Sequence, residues 1–270
     1  MSVTRFAPSP TGYLHLGHAF AAVTAARAGQ RFLLRIEDLD QSRAREEFVA
    51  AIFEDISWLG LTWEEPVLRQ SQRMDAYRAA LEKLKADDLL YPCFCTRKEI
   101  AEETARAAEA PQGPDGPVSP GTCRHLTLTA RDERRGEAYV LRLDAAKAAA
   151  RAGALTFREK NQTVTVEPLM FGDIVLARKD IPAAYHLAVV VDDAFQGVTL
   201  VTRGDDLLPA AHVQRLLQAL LALPEPAYAH HKLILDGDGR KFSKRDRAVT
   251  LNSLRQDGVT PDQIFARLGL

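Results

Sequence analysis

The chain is short of several things, and each shortage removes a class of protein. It has three cysteines in 270 residues, too few for a disulfide framework. No apolar run approaches the roughly 20 residues needed to cross a bilayer, so no membrane partner is expected. Met1 to Gly12 carries one arginine and no apolar stretch, and a cytoplasmic protein without a secretory leader is the expectation. Charge of either sign is not in excess: 35 Lys and Arg face 36 Asp and Glu, for a net charge of −1. That argues against a surface coated in nucleic acid. It leaves room for a local basic patch, because phosphate contacts need only a few well-placed cations. Internal repeats and heptad arrays are missing too.

What remains is an ordinary globular composition, 46% hydrophobic and 26% charged, long enough to bury a core without staples. Thr4 to Ala7 reads as a short strand that runs into Pro8-Ser9-Pro10-Thr11-Gly12, where two prolines and a glycine force a loop. Leu16 to Ala28 is Ala-rich and helical, with Gly29 as a stop of the C′ kind. Arg31 to Asp38 is a buried strand bounded by charge, and strand, helix and strand at this spacing make a βαβ unit with a parallel sheet. Phe48, Ile52, Ile56 and Leu59 mark one face of a helix, and Tyr77, Leu81 and Leu84 a second. Glu99 to Gly121 has the character of an insert with an exposed Pro- and Gly-rich loop. Tyr139 to Leu143 and Thr163 to Val166 alternate like half-buried strands. Leu187 to Val191 is a continuous apolar run ending in Asp192-Asp193 and reads as another central strand. Pro209 opens a helix with Val213, Leu216, Leu217, Leu220 and Leu221 on its apolar face.

Three groups of residues carry chemistry. His15-Leu16-Gly17-His18 sets two histidines three apart at a helix start, where free N–H groups and the helix dipole favour anions. Gly17 keeps side-chain bulk away from an approaching nucleotide. Lys241-Phe242-Ser243-Lys244-Arg245, preceded by Asp236-Gly237-Asp238-Gly239, is a glycine-bordered basic loop that could close over a polyphosphate. Cys93-Phe94-Cys95 and Cys123-Arg124-His125 hold all three cysteines and could offer four ligands to Zn²⁺. Three buried, reduced cysteines beside an unrelated histidine are the competing reading. His186, His212, His230 and His231 form no comparable cluster and read as surface or packing residues.

The first two groups, in this order and wide separation, resemble the paired signatures of class I aminoacyl-tRNA synthetases. Arg5 to Gly12, Arg35 to Asp40, and Tyr185-His186-Leu187-Ala188 followed by Val191-Asp192-Asp193 narrow the resemblance to the glutamyl-tRNA synthetases, over residues 3 to about 250. Two departures resemble the shorter paralogue family, the glutamyl-Q tRNA(Asp) synthetases. The sequence stops 25 residues after Arg245, where the full enzymes continue into an anticodon-reading part, and Val189 stands where they usually have Asn.

The resemblance implies a Rossmann-like α/β core with a small inserted subdomain and a short helical C-terminal part. Residues 1–91 and 185–270 would form the two halves of the core, and 92–184 the insert. It implies activation of glutamate by ATP with Mg²⁺, then transfer of glutamate to queuosine of tRNA(Asp), by a monomer. Arg5 and Arg203 resemble carboxylate clamps, with neither carboxylate assigned to either. Glu37 resembles the acceptor of the α-ammonium, against the plainer reading of a strand-end Glu paired with Arg35. Ala7, Ser9 and Tyr185 complete the glutamate site. His15, Gly17 and His18 resemble the ATP site, with Lys241 and Lys244 as catalytic cations. In the paralogue family a zinc ligand can be a Tyr four residues before the last cysteine; here Ser119 holds that place, which leaves His125 or a lapsed site. A shortened synthetase charging a tRNA 3′ end and a non-catalytic RNA-binding paralogue are the rival readings.

Overall fold

The computed structural model describes residues 1–106, 112–114, 116–134, 136–178, 183–234 and 249–270. The Lys241 to Arg245 group and its glycines lie outside the described residues.

The opening apolar pattern produces the βαβ unit. β1 (Val3–Phe6), α1 (Leu16–Ala28) and β2 (Arg31–Ile36) follow each other, and β1 pairs with β2 in parallel from Val3 with Arg31 to Phe6 with Leu34. Gly29 is not the left-handed stop its position suggests, since its φ is −100°. It is required for another reason: a Cβ there would fall 2.2 Å from Thr4 Oγ1, which donates to Ala25 O at 2.8 Å and holds α1 on the sheet. α2 (Glu46–Trp58) crosses to β3 (Glu64–Arg69), which extends the parallel sheet beside β2, and α3 (Met74–Ala86) follows. The anticipated faces are inward, with Ile52, Ile56, Tyr77 and Leu84 fully buried.

Residues 90–178 contribute β4 (Leu90–Cys93), α4 (Arg97–Arg106), the two-residue strands β5 (Gln112–Gly113) and β6 (Gly116–Pro117), α5 (Leu128–Glu133), β7 (Val140–Leu143), α6 (Ala145–Ala152), β8 (Thr156–Glu159), β9 (Gln162–Thr165) and β10 (Val175–Arg178). β10, β7 and β4 make a small antiparallel sheet. The β8–β9 hairpin, placed inside the insert by sequence, instead extends the sheet of the second half of the chain. Tyr228 pairs there with Glu159.

α7 (Tyr185–Phe195) corrects the reading of Leu187 to Val191 as a strand. The run is continuous because this helix is walled in: Leu187 to Val190 and both aspartates are buried, so no polar stripe marks the 3.6-residue period. β11 (Leu200–Gly204), α8 (Leu208–Leu221) and β12 (Ala227–His231) complete a parallel pair with its helix. Val3 N–H donates to Thr199 Oγ1 at 2.9 Å and Thr199 N–H to Val3 O at 3.0 Å, setting β1 against the start of β11. The two halves therefore meet as the Rossmann-like core expected. α9 (Leu251–Gln256) and α10 (Pro261–Leu268) pack on the α1–α2 side through Leu251, Leu254, Ile264 and Leu268. Among the described residues, no helix is long and apolar enough to cross a membrane.

Candidate active site

The histidine pair is brought together as its spacing requires. His15 precedes the first turn of α1 and His18 lies one turn on; their ring centroids are 3.8 Å apart. His15 backbone N–H donates to His18 Nδ1 at 3.2 Å, so the lone pair of the His18 ring is at Nδ1. A neutral His18 then carries its proton on Nε2. A Cβ on Gly17 would sit 3.1 Å from His15 Cε1, so glycine leaves the His15 ring its place. Both described flanks of residues 235–248 are fixed at this end of α1. Ile234 packs in the cluster that holds Leu14, Thr250 bridges His15, and Leu251 N–H donates to Leu14 O at 2.8 Å.

A second group gathers at the C-terminal ends of β1 and β2. Arg5 is buried and grips Asp193 of α7, with Nε on Oδ1 at 3.0 Å and Nη2 on Oδ2 at 3.4 Å. Arg35, fully buried, reaches the same Oδ1 from Nη1 at 2.7 Å and turns Nη2 to Glu37 Oε1 at 3.2 Å. Burial works against ionised Asp193, yet Arg5 and Arg35 outweigh it and hold its pKa low. For Glu37 the balance reverses: burial pushes its pKa up despite Arg35 and Arg5. Arg35 and Arg5 thus only partly offset the cost of burying a charged Glu37, and a further cation in the cleft would offset more of it. The Arg35 ion pair anticipated as the plainer reading exists, and it leaves Glu37 on the cleft wall.

That cleft, about 930 Å³, is lined by Ser9, Thr11, Glu37, Tyr185 and His186, and on the insert side by Phe171, Arg142 and Arg178. Arg5 and Arg203 are not among the lining residues, and each is about one-twentieth exposed. Ala7, half-buried, links β1 to the Pro8–Pro10 loop, which Glu37 N–H ties down through Pro8 O at 3.0 Å. His186 is half-buried, and its Nδ1 is buried without a partner; burial and the nearby Arg203 charge push its pKa down to about 4. Val189 is buried in the apolar cluster of α7 and α8.

Sequence reasoning missed the groups that hold these residues. Asp193 is the hub of the arginine network, and neighbouring Asp192 accepts from Tyr77 Oη at 2.6 Å and Gln70 Nε2 at 3.0 Å. His230, read as surface or packing, is buried and accepts from Arg203 Nε at 3.0 Å. The signal was the alternation of small and large side chains along Ala227-Tyr228-Ala229-His230, which a strand turns so that Tyr228 and His230 share one face.

The cysteines do converge. Sulfur atoms of Cys93, Cys95 and Cys123 all lie within 4.8 Å of one another, with Cys95 and Cys123 3.4 Å apart. Phe94 N–H points at Cys123 Sγ at 3.5 Å. His125 is exposed and outside this group, which corrects it as the fourth ligand. Ser119 lines the cleft instead. Burial, hydrogen bonding to Cys123 and the neighbouring sulfurs push the Cys95 thiol up to about 12. Such a trio cannot ionise together without a cation, and it fits three corners of a tetrahedral Zn²⁺ site that would pin β4 to the Thr122–His125 turn.

Comparison with known proteins gives the family. The whole chain, residues 1–270, matches the family model described as tRNA synthetases class I (E and Q), catalytic domain. A glutamyl-Q tRNA(Asp) synthetase of Rhodobacter capsulatus is 47% identical over 284 residues, covering 99% of this chain and 100% of that protein. A glutamate–tRNA ligase of Aquifex aeolicus is 38% identical, covering 99% of this chain and 56% of that one. The crystal structure of a glutamate tRNA ligase from Elizabethkingia meningosepticum in complex with its amino acid superposes with a TM-score of 0.71 at 29% identity. The match covers 91% of this chain and 52% of that one, so this chain spans about half of that structure.

Proposed function

Since the chain belongs to the class I tRNA synthetase catalytic-domain family for glutamate and glutamine, we propose that it activates glutamate with ATP and transfers it to queuosine of tRNA(Asp). The observation that carries the glutamate half is the pairing of opposite charges behind one cleft. Arg5 and Arg203 supply guanidinium groups, Arg203 with a buried Nη2 that has no partner, and Glu37 supplies a carboxylate whose burial Arg35 and Arg5 only partly offset. A zwitterion with a second carboxylate is the complement of such a site.

In this reading an oxygen of the substrate α-carboxylate attacks the α-phosphorus of ATP. The bond from that phosphorus to the bridging oxygen breaks, and pyrophosphate leaves with Mg²⁺. No covalent nucleophile from the protein is called for; the work is positioning and stabilisation of charge. Glu37 orients the α-ammonium, Ser9, Tyr185 and the backbone of Ala7 hold the amino acid, and Arg5 and Arg203 take the carboxylates. His15 and His18, opened by Gly17, hold the phosphates, and Lys241 and Lys244 neutralise the leaving group. A hydroxyl of the queuosine ring then attacks the activated carbonyl, AMP departs, and the hydroxyl proton passes to solvent. The full-length similarity to the Rhodobacter protein supports queuosine as the acceptor. Zn²⁺ on Cys93, Cys95 and Cys123 has a structural part only.

The test is ATP–pyrophosphate exchange with glutamate, glutamine and aspartate in the absence of tRNA, followed by transfer of labelled glutamate to tRNA(Asp) with and without queuosine. Exchange with glutamate alone, and label confined to the queuosine-bearing anticodon fragment, is the expected result. Label on the 3′ end of tRNA(Glu) would replace this reading with ordinary charging. No exchange under any condition would leave a binding protein.

A further inference from the structure

Arg203 and His230 are direct neighbours on the parallel strands β11 and β12. The Arg203 fork is held on two sides. Nε donates to His230 Nε2 at 3.0 Å, and Nη1 donates to Gln214 Oε1 at 2.8 Å. Nη2 remains, buried and without a partner, on a side chain only 6% exposed. A charged donor left so is costly until an acceptor arrives.

His230 is itself fixed from behind. Glu159 Oε1 accepts the His230 backbone N–H at 2.9 Å, and Glu159 Oε2 is 2.6 Å from ring Nδ1. A carboxylate has no proton to give, so Nδ1 carries the hydrogen and Nε2 keeps its lone pair for Arg203. The Tyr228 ring lies under both partners, parallel to the His230 ring at 6.0 Å and 5.4 Å from Arg203 Cζ.

We propose that His230, locked in one tautomer by Glu159, is the positioning residue that aims Arg203 Nη2 at a substrate carboxylate. This rests on reading Arg203 as a clamp for glutamate. The arrangement works only while the imidazole is neutral. A proton on Nε2 would remove the acceptor and set a second cation against the guanidinium. The charged or titratable groups facing His230 are Arg203 from β11, Glu159 and Lys160 from the end of β8, and Tyr228 from its own strand. Asp205 and Asp206 follow in the turn after β11. Burial first, then Arg203, lower its pKa against the opposing pull of Glu159, which favours the neutral form.

The test is glutamate-dependent ATP–pyrophosphate exchange by the intact protein and by His230→Ala, His230→Gln and Arg203→Lys, with KM for glutamate and for ATP measured from about pH 5.5 to about pH 8. His230→Ala is expected to raise the glutamate KM roughly tenfold and to move the ATP KM less than about twofold. His230→Gln, whose amide oxygen reaches the place of Nε2, restores the glutamate KM near pH 7.5. The wild-type glutamate KM rises as the medium is acidified, and more steeply than that of His230→Gln, which keeps only the rise that protonation of Glu37 brings. If His230→Ala does not fold, the shallower profile of His230→Gln decides, and an acid rise there as steep as that of the wild type overturns the proposal. An unchanged glutamate KM in His230→Ala, with a raised one in Arg203→Lys, makes His230 a packing residue and leaves the clamp standing. An unchanged glutamate KM in Arg203→Lys removes the clamp reading itself.

Discussion

Asp55 is a weakness in the stability of the fold, because its side chain is completely buried. Neither carboxylate oxygen has a hydrogen-bond partner. The nearest cation, Arg255 of α9, stands 3.6 Å from Oδ1 and is already held by Glu54 at 2.7 Å. Burial pushes the Asp55 pKa up to about 6, Arg255 opposes the shift, and Glu54 adds to it. The sign follows from linkage. An acid whose folded pKa is raised above its unfolded value loses stability where it must ionise, above pH 6. It regains that stability as pH falls from about 6 toward the unfolded value near 4. A shift of about two units at about 1.4 kcal/mol each is worth about 3 kcal/mol. Asp55→Asn keeps the shape and removes the titration. Urea unfolding of both proteins between about pH 8 and about pH 4 should therefore show a stability difference that changes by about 3 kcal/mol in favour of the wild type as the solution is acidified. The amide has its own unmet donors, so the change with pH is informative and the offset at one pH is not. A difference constant across that range would refute the account, and with it the claim that Asp55 is ionised at a cost.

Three further outcomes are expected. Tyr77→Phe removes the hydroxyl that donates to Asp192 and should destabilise the protein by about 1–3 kcal/mol in the same unfolding assay, because Asp192 is fully buried. Gly17→Ala should move stability and activity in opposite directions. Helix propensity gains roughly 0.5–1 kcal/mol, while the new Cβ presses on the His15 ring and lowers kcat of glutamate-dependent exchange roughly tenfold, about 1.4 kcal/mol in the barrier. Unchanged exchange would show that His15 needs no fixed place. Cys123→Ser breaks the sulfur trio and should lower both the zinc found by mass spectrometry of the purified protein and its melting temperature. A wild-type protein purified without zinc would end the metal reading.

Much of the fold was legible because local signals agreed with the tertiary outcome. α1 lies over the residues its composition marked, and the apolar faces of α2, α3 and α8 are the ones buried. Two errors share one cause, the environment of a segment. α7 has no polar face to display a period, and the β8–β9 hairpin joins a partner strand almost seventy residues on, which alternation alone does not reveal. The site divides in the same way. His15, Gly17, His18, Ser9, Glu37 and Tyr185 sit in compact words, and the fold brings Ser9, Glu37 and Tyr185 to one cleft. Asp193 meets Arg5 across 188 positions and His230 meets Glu159 across 71, so their roles exist only once the strands are assembled. The cysteines were grouped correctly, but adjacency in sequence brought in His125, which the turn carries into solvent.

The two adjacent aspartates of α7 also set a rotational constraint. Neighbours on a helix point about 100° apart, and Asp192 and Asp193 use that angle to fasten two different layers, one to Tyr77 and Gln70, the other to Arg5 and Arg35. A single residue inserted or deleted just ahead of them cannot be absorbed as a shift along the axis. It turns the pair so that one carboxylate takes the other's place and the remaining set of donors loses its acceptor. The segment before the pair should therefore accept changes of side chain far more readily than changes of length.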